Sequence, residues 1–204
     1  MIQSPLQKSA LALVLALAFF PGPGAVPRCY AAEAAAMHSM PFAWRWVPIG
    51  GGGAVMTVEP SPHRDGLVLA GCDVGGVLRS EDYGRHWRLA NRGLITDGDR
   101  AVAAFAWDPR RADVVYMASG ACFGKPSGPY GGLWRSDDAG RSWHLVSREV
   151  RFSGFGSQRQ WGKVLLVDRR DGALWAGTAW DGLLRSSDGG ETWTHLGLSG
   201  RFIV

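Results

Sequence analysis

Cysteine is scarce in this chain, three in 204 residues, and none stands in a Cys-x-x-Cys pair or at zinc-ligand spacing. That excludes the common thiol redox motif and the familiar zinc modules. Beyond the N-terminal segment only Cys72 and Cys122 remain. An oxidising compartment would let them pair, and two half-buried free thiols fit the sequence equally well. Histidine is sparse too: His38, His63, His86, His144 and His195 include none at a telling distance from a serine and an aspartate, and they carry no assigned role. The 22 basic and 18 acidic residues are scattered, with no basic stripe of the kind that nucleic acid requires. No stretch repeats with helical periodicity, and no cofactor or metal motif occurs. The one long apolar run, Ala10 to Phe20, is eleven residues. A bilayer needs about 20, so no membrane anchor is expected.

That run has another reading. Lys8 precedes it, Pro21, Gly22 and Pro23 break any helix after it, and Ala32-Glu33-Ala34 supplies the small residues read by a signal peptidase. Residues 1–36 are therefore expected to be a signal peptide and the start of the mature chain, directing a secreted or periplasmic protein. Arg28 before Cys29 argues against lipoprotein cleavage. Removing Lys8, Arg28 and Glu33 from the totals leaves 20 basic and 17 acidic residues, an ordinary surface balance.

What the sequence does have is repetition. SEDYGRHW (80–87), SDDAGRSW (136–143) and SSDGGETW (186–193) share Ser-x-Asp-x-Gly-x-x-Trp at steps of 56 and 50 residues. Upstream of each box lie matching short runs rich in β-formers: VMTVEPSP, AAFAWDPR and KVLLVDRR, then LVLAGCD, VVYMASG and ALWAGTA. Each unit reads as four short strands joined by Gly-, Asp- and Pro-containing turns. Four strands at a period near 50 residues predict β-propeller blades. The fold class expected is all-β, over 37–204: a closing strand at 43–49 (AWRWVPI), blade one about 54–91, blade two about 101–147 and blade three about 161–197.

The boxes resemble the Asp-box (BNR) motif of sialidase-like propellers. Their aspartates, Asp82, Asp138 and Asp188, are expected to hold a turn by accepting backbone N–H bonds. The glycine supplies an unusual backbone conformation, and the tryptophan packs between strands. These residues build the blades.

Chemistry is expected where the copies differ. Antiparallel strands put successive turns on alternate faces, so the second-to-third turn shares a face with the links between blades, opposite the boxes. Seven residues before each box serine stand Asp73, Pro129 and Ala179, and only the first is a carboxylate. Asp73 lies in GCDVGGVLRS, among glycines that permit close approach. IGGGG (49–53), the loop ACFGKPSGPYGG (121–132), the linker REVRFSGFGSQRQWG (148–162) and Trp180-Asp181 fall on the same face. Tyr130, Trp161 and Trp180 are candidate platforms for sugar rings, with ordinary packing as the other reading of each. Asp181 is read as holding a turn. Arg159 either binds a hydroxyl or pairs with a carboxylate.

WRWVPIGGGG (44–53), Asp-Val-Gly-Gly (73–76) and QWGKVLLVD (160–168) together resemble the N-terminal propeller of glycoside hydrolase family 74, over roughly residues 43–196. The resemblance implies an endo-β-1,4-glucanase or xyloglucanase architecture: two seven-bladed propellers facing across a cleft, each supplying one catalytic aspartate to an inverting hydrolysis. Asp73 matches the N-terminal aspartate, as the base. Three blades are fewer than the four to eight that close a propeller. The expectation is an incomplete seven-bladed propeller that lacks its acid partner, needs a C-terminal half or an oligomeric partner, and is inactive alone. Its partner would be a polysaccharide, with no cofactor and no metal. A non-catalytic Asp-box propeller that binds protein or glycan is the competing reading. Sialidase chemistry is a distant third, because the Arg-Ile-Pro entry motif is missing.

Overall fold

Alternation of apolar residues within runs of four to six is what a strand buried on one or both faces demands, and strands are what these runs form. A computed structural model describes residues 52–122, 131–156, 159–160, 162–178 and 180–198. The expected signal segment, the expected closing strand at 43–49, Tyr130 and Trp161 lie outside the described residues, as does the side chain of Cys122. The chain divides into two units, 1–45 and 46–204, and every described residue belongs to the second.

Three four-stranded antiparallel sheets follow one another along the chain. The first has β1 (Val55–Pro60), β2 (Val68–Cys72), β3 (Gly76–Ser80) and β4 (Arg88–Leu89) in sequential order. A single turn of helix, α1 (Asp97–Arg100), leads into β5 (Val102–Trp107) and β6 (Val115–Ser119). The short β7 (Ala121–Cys122) comes next, and the second sheet is completed by β8 (Gly132–Ser136) and β9 (His144–Ser147), in the order β5-β6-β8-β9. In the linker that follows, β10 (Phe155–Gly156) pairs in parallel with β7. The third sheet is β11 (Leu165–Val167), β12 (Leu174–Gly177), β13 (Leu183–Ser186) and β14 (Thr194–His195), again sequential. Among the described residues the chain is thus all-β apart from one helical turn, built from blades of the propeller type.

The middle sheet shows why its runs are apolar throughout. Every residue of β5 and β6 is buried, because a sheet lies against each face. Phe105, Trp107, Val115 and Met117 join Leu67, Leu69 and Val77 of the first sheet in one core. The intervening Ala104, Ala106, Tyr116 and Ala118 join Leu165, Val167, Leu174, Ala176 and Leu184 of the third in another. Large residues face one neighbour and mostly small ones face the other, so the packing is directional. A register shift between Val102 and Ala104 marks a bulge near the start of β5.

The boxes close the β3–β4, β8–β9 and β13–β14 turns. In each, the serine hydroxyl donates to the aspartate Oδ1 (2.8, 2.8 and 2.7 Å) and accepts the glycine N–H (2.9, 2.8 and 2.8 Å). The aspartate in turn accepts the N–H of the residue before the tryptophan: His86 at 2.9 Å, Ser142 at 2.9 Å and Thr192 at 3.0 Å. The His86 N–H and ring hold the Asp82 carboxyl well below the usual carboxylate range, and the Thr192 hydroxyl and N–H do the same for Asp188.

The tryptophans differ. Trp87 and Trp193 are half-buried and donate to their own box glycine carbonyls, Gly84 and Gly190. Trp143 is buried, stacks on Phe105 at 5.9 Å and donates at 2.9 Å to the carbonyl of Ala90 in the first sheet. It packs between strands as the sequence predicted, and it also joins two blades.

Candidate active site

Asp73 begins the three-residue turn between β2 and β3, which close on each other through the Cys72–Gly76 pair. A carboxylate in so short a turn has few local donors, so its partners must come from elsewhere in the chain. One comes from the entry to the first sheet: Ala54 N–H donates to Asp73 Oδ1 at 2.8 Å, and Asp73 N–H donates back to the Ala54 carbonyl at 3.0 Å. The approach is close enough to require glycine. Gly53 has φ +92°, and a Cβ there would fall on Asp73 Oδ1 and the Val74 side chain. A Cβ on Gly75 would meet the backbone of Gly52 at 2.6 Å. Gly52 and Gly53, ahead of β1, are therefore a backbone seat for the Asp73 turn.

The other partner comes from 86 residues downstream. Arg159 Nη2 donates to Asp73 Oδ2 at 3.0 Å, while its guanidinium carbon lies 5.4 Å from the centre of the Phe155 ring. Asp73 is buried at 5% exposure, and an ionised carboxylate that is buried needs such a partner. Beside it Cys72 is a buried free thiol, pushed up in pKa by burial and then by the Asp73 charge. Asn91, just beyond β4, pins the far side of the turn: its Oδ1 accepts Val77 N–H at 2.8 Å and its Nδ2 donates to the Gly75 carbonyl at 2.9 Å.

Arg159 is held by its neighbour. Gln160 is fully buried. Its backbone N–H donates to the Ser153 carbonyl at 2.7 Å, its Oε1 accepts Ser153 N–H at 3.1 Å, and its Nε2 donates to the Gly177 carbonyl of β12 at 3.0 Å. Two other arginines of this linker pair with acids on the same face. Arg148 Nη1 donates to Asp99 Oδ1 at 3.1 Å, and Arg151 Nε donates to Asp181 Oδ2 at 3.1 Å. Asp99 caps α1 in a box with Thr96. Burial works to raise its pKa, yet the Thr96 N–H and hydroxyl and then Arg148 hold it below the ordinary value. Trp180 is half-buried, with the Arg151 guanidinium 5.7 Å from its ring centre. One side of that ring is occupied by the protein itself.

Of the residues singled out from the sequence, Asp73 and Arg159 are in contact, and Trp180 sits in the neighbouring Arg151–Asp181 group. Asp181, read as a turn residue, accepts from Arg151 and donates its N–H to Thr178 Oγ1 at 2.8 Å. Asn91 and Gln160 escaped the sequence reading, since single amides in loops carry no pattern. Thr96-x-x-Asp99 did offer a capping signature. Among the described residues, no group of three or more His, Cys, Asp or Glu side chains gathers as metal ligands, and no helix is long and apolar enough to cross a membrane.

Four-stranded blades carrying a buried, clamped carboxylate on the face opposite the boxes define a scaffold of the propeller class. The comparisons point to the same group. A xyloglucanase from a Paenibacillus species is 31% identical over 173 residues, which is 79% of this chain and 16% of that protein. Xyloglucanase Xgh74A of Acetivibrio thermocellus is 31% identical over 167 residues, covering 79% of this chain and 20% of that protein. The crystal structure of a xyloglucanase of glycoside hydrolase family 74 from Xanthomonas campestris superposes with TM-score 0.62 at 34% identity, over 76% of this chain and 22% of that one. No protein-family model matches. The chain is related to glycoside hydrolase family 74 over about three quarters of its length, and it spans between a sixth and a fifth of the curated relatives named above.

Proposed function

We propose that this chain is the base-bearing part of an exported, inverting glycosidase that acts on β-1,4-glucan of the xyloglucan type. The observation that carries the reading is the Asp73 carboxylate, anchored at both oxygens by Ala54 N–H and Arg159. Each oxygen keeps a lone pair beyond those contacts. In an inverting cleavage the Asp73 carboxylate takes a proton from a water molecule as the water oxygen attacks the anomeric carbon. The glycosidic C–O bond breaks, and the leaving oxygen takes its proton from a carboxylic acid about 6.5–9.5 Å from the base. That acid is supplied by a facing propeller, and this chain alone is inactive. Tyr130, Trp161 and Trp180 are the proposed platforms for the sugar rings, stacking their apolar C–H faces. The 31% identity to xyloglucanases supports the substrate class, and the N-terminal segment supports export with cleavage near Ala35.

The test has two readouts. The chain should be retarded in a gel containing xyloglucan, and Asp73→Asn should leave that retardation intact. Mixed or fused with the C-terminal propeller of a related xyloglucanase, it should release reducing ends, with Asp73→Asn lowering turnover by roughly a hundredfold or more. Retardation without any Asp73-dependent hydrolysis would instead make this a non-catalytic glycan-binding propeller.

A further inference from the structure

We infer that Arg159 is a positioning residue for Asp73 and that it is not a ligand for the sugar. The inference rests on the reading of Asp73 as the base and adds what holds that base in place. Two groups fix the carboxylate plane: Ala54 N–H on Oδ1 at 2.8 Å and Arg159 Nη2 on Oδ2 at 3.0 Å. The first belongs to backbone that Gly52 and Gly53 press against the turn, and it cannot swing away. The second is a side chain whose own position is built. Its guanidinium lies against the Phe155 ring, the Phe155 carbonyl accepts the Ser153 hydroxyl at 3.2 Å, and Ser153 is tied at both backbone groups to the adjacent Gln160. Gln160 reaches on to the Gly177 carbonyl of the third sheet. The linker between the second and third sheets is thereby braced so that Arg159 meets a turn of the first.

This arrangement has a chemical consequence. A carboxylate side chain rotates about its Cβ–Cγ bond unless both oxygens are held. With one oxygen on a backbone N–H and the other on a guanidinium, the two remaining lone pairs keep one direction, which is what an aligned attack by water demands. Arg159 Nη2 is the group that meets Asp73, and the Phe155 ring beside the guanidinium helps fix its direction.

Amide hydrogen exchange and glycan retardation, both measured on the chain itself, separate the two roles. In Arg159→Met the Ala54 amide should exchange about tenfold faster, the loss of roughly one hydrogen bond. Arg159→Lys, which keeps a charge within reach of Oδ2, should restore at least half of that protection. Both variants should be retarded by xyloglucan as the parent chain is. The Leu69, Leu133 and Leu184 amides, in the middle of each sheet, report that the blades remain folded. Unchanged Ala54 exchange in Arg159→Met overturns the inference, and so does a loss of retardation in that variant, which would make Arg159 a sugar ligand. Neither readout depends on turnover, so an Asp73→Asn chain that hydrolyses normally with its completing half would remove the catalytic reading alone.

Discussion

A carboxylate in this molecule behaves according to its donors. Asp138 shows the rule most fully: it accepts from the Arg141 N–H at 3.0 Å, the Ser142 N–H at 2.9 Å, the Ser142 hydroxyl at 2.6 Å and the Ser136 hydroxyl at 2.8 Å. Burial is the largest influence and works to raise its pKa. The Ser142, Ser136 and Arg141 donors together outweigh it and push the value down to about 2. A folded-state pKa below the ordinary carboxylate value of about 3.9 means stability that is fully present above about pH 4 and is lost as pH falls through 2. Asp138→Ala should therefore cost about 1–3 kcal/mol at neutral pH by stranding those donors. The gap in melting temperature from the parent chain should narrow steadily below pH 4. A gap that stays constant down to pH 2 would show that the carboxylate's charge is irrelevant to the turn.

Each blade is the same element, yet the three boxes are not equivalent. The backbone around Arg92 bridges to Ser142, and Trp143 N–H donates to the Arg92 carbonyl at 2.9 Å. The first-to-second linker thus lies on the second box and drives Trp143 into the space between sheets. Trp143→Ala should cost about 3–5 kcal/mol, in the range for a buried tryptophan. Trp87→Ala, which removes a half-buried ring bonded only to its own turn, should cost clearly less. Thermal unfolding of the two variants side by side checks the ranking. Equal losses would mean that the inter-blade bond at Ala90 adds nothing. The fold was legible at this scale because a box repeated three times gives the strand count of each unit and the position of its last turn. The two-stranded β7–β10 pair was not legible, and α1 showed only through the Thr96-x-x-Asp99 capping signature. They are short and belong to linkers that do not repeat.

For the molecule as a whole, the deciding feature is the linker between the second and third sheets. Arg148, Arg151 and Arg159 pair with Asp99, Asp181 and Asp73, so twelve residues of chain reach through charge to the first blade, the third blade and the helical turn ahead of the second. Gln160 is its fixed point. Gln160→Ala strands the Ser153 N–H and the Gly177 carbonyl in a buried setting, at about 1–3 kcal/mol. It should raise exchange at the Ser153 amide while leaving the amides of β2 and β3 protected. Loss of protection across every sheet at once would show that the linker is part of a single cooperative unit with the blades.

Spacing alone determined the four-strand unit, the structural duty of Asp82, Asp138 and Asp188, and the placing of Asp73 and Arg159 on one face. Those follow from alternation and turn parity, which are local rules. The meeting of Asp73 with Arg159 across 86 residues was decided by tertiary structure. So were the need for Gly53 beside the carboxylate, the capture of Trp143 by Ala90 and the occupation of one Trp180 face by Arg151. Each depends on the path of a non-repeating linker, and that path is set by a buried amide, a ring and close backbone contact, none of which leaves a period in the sequence.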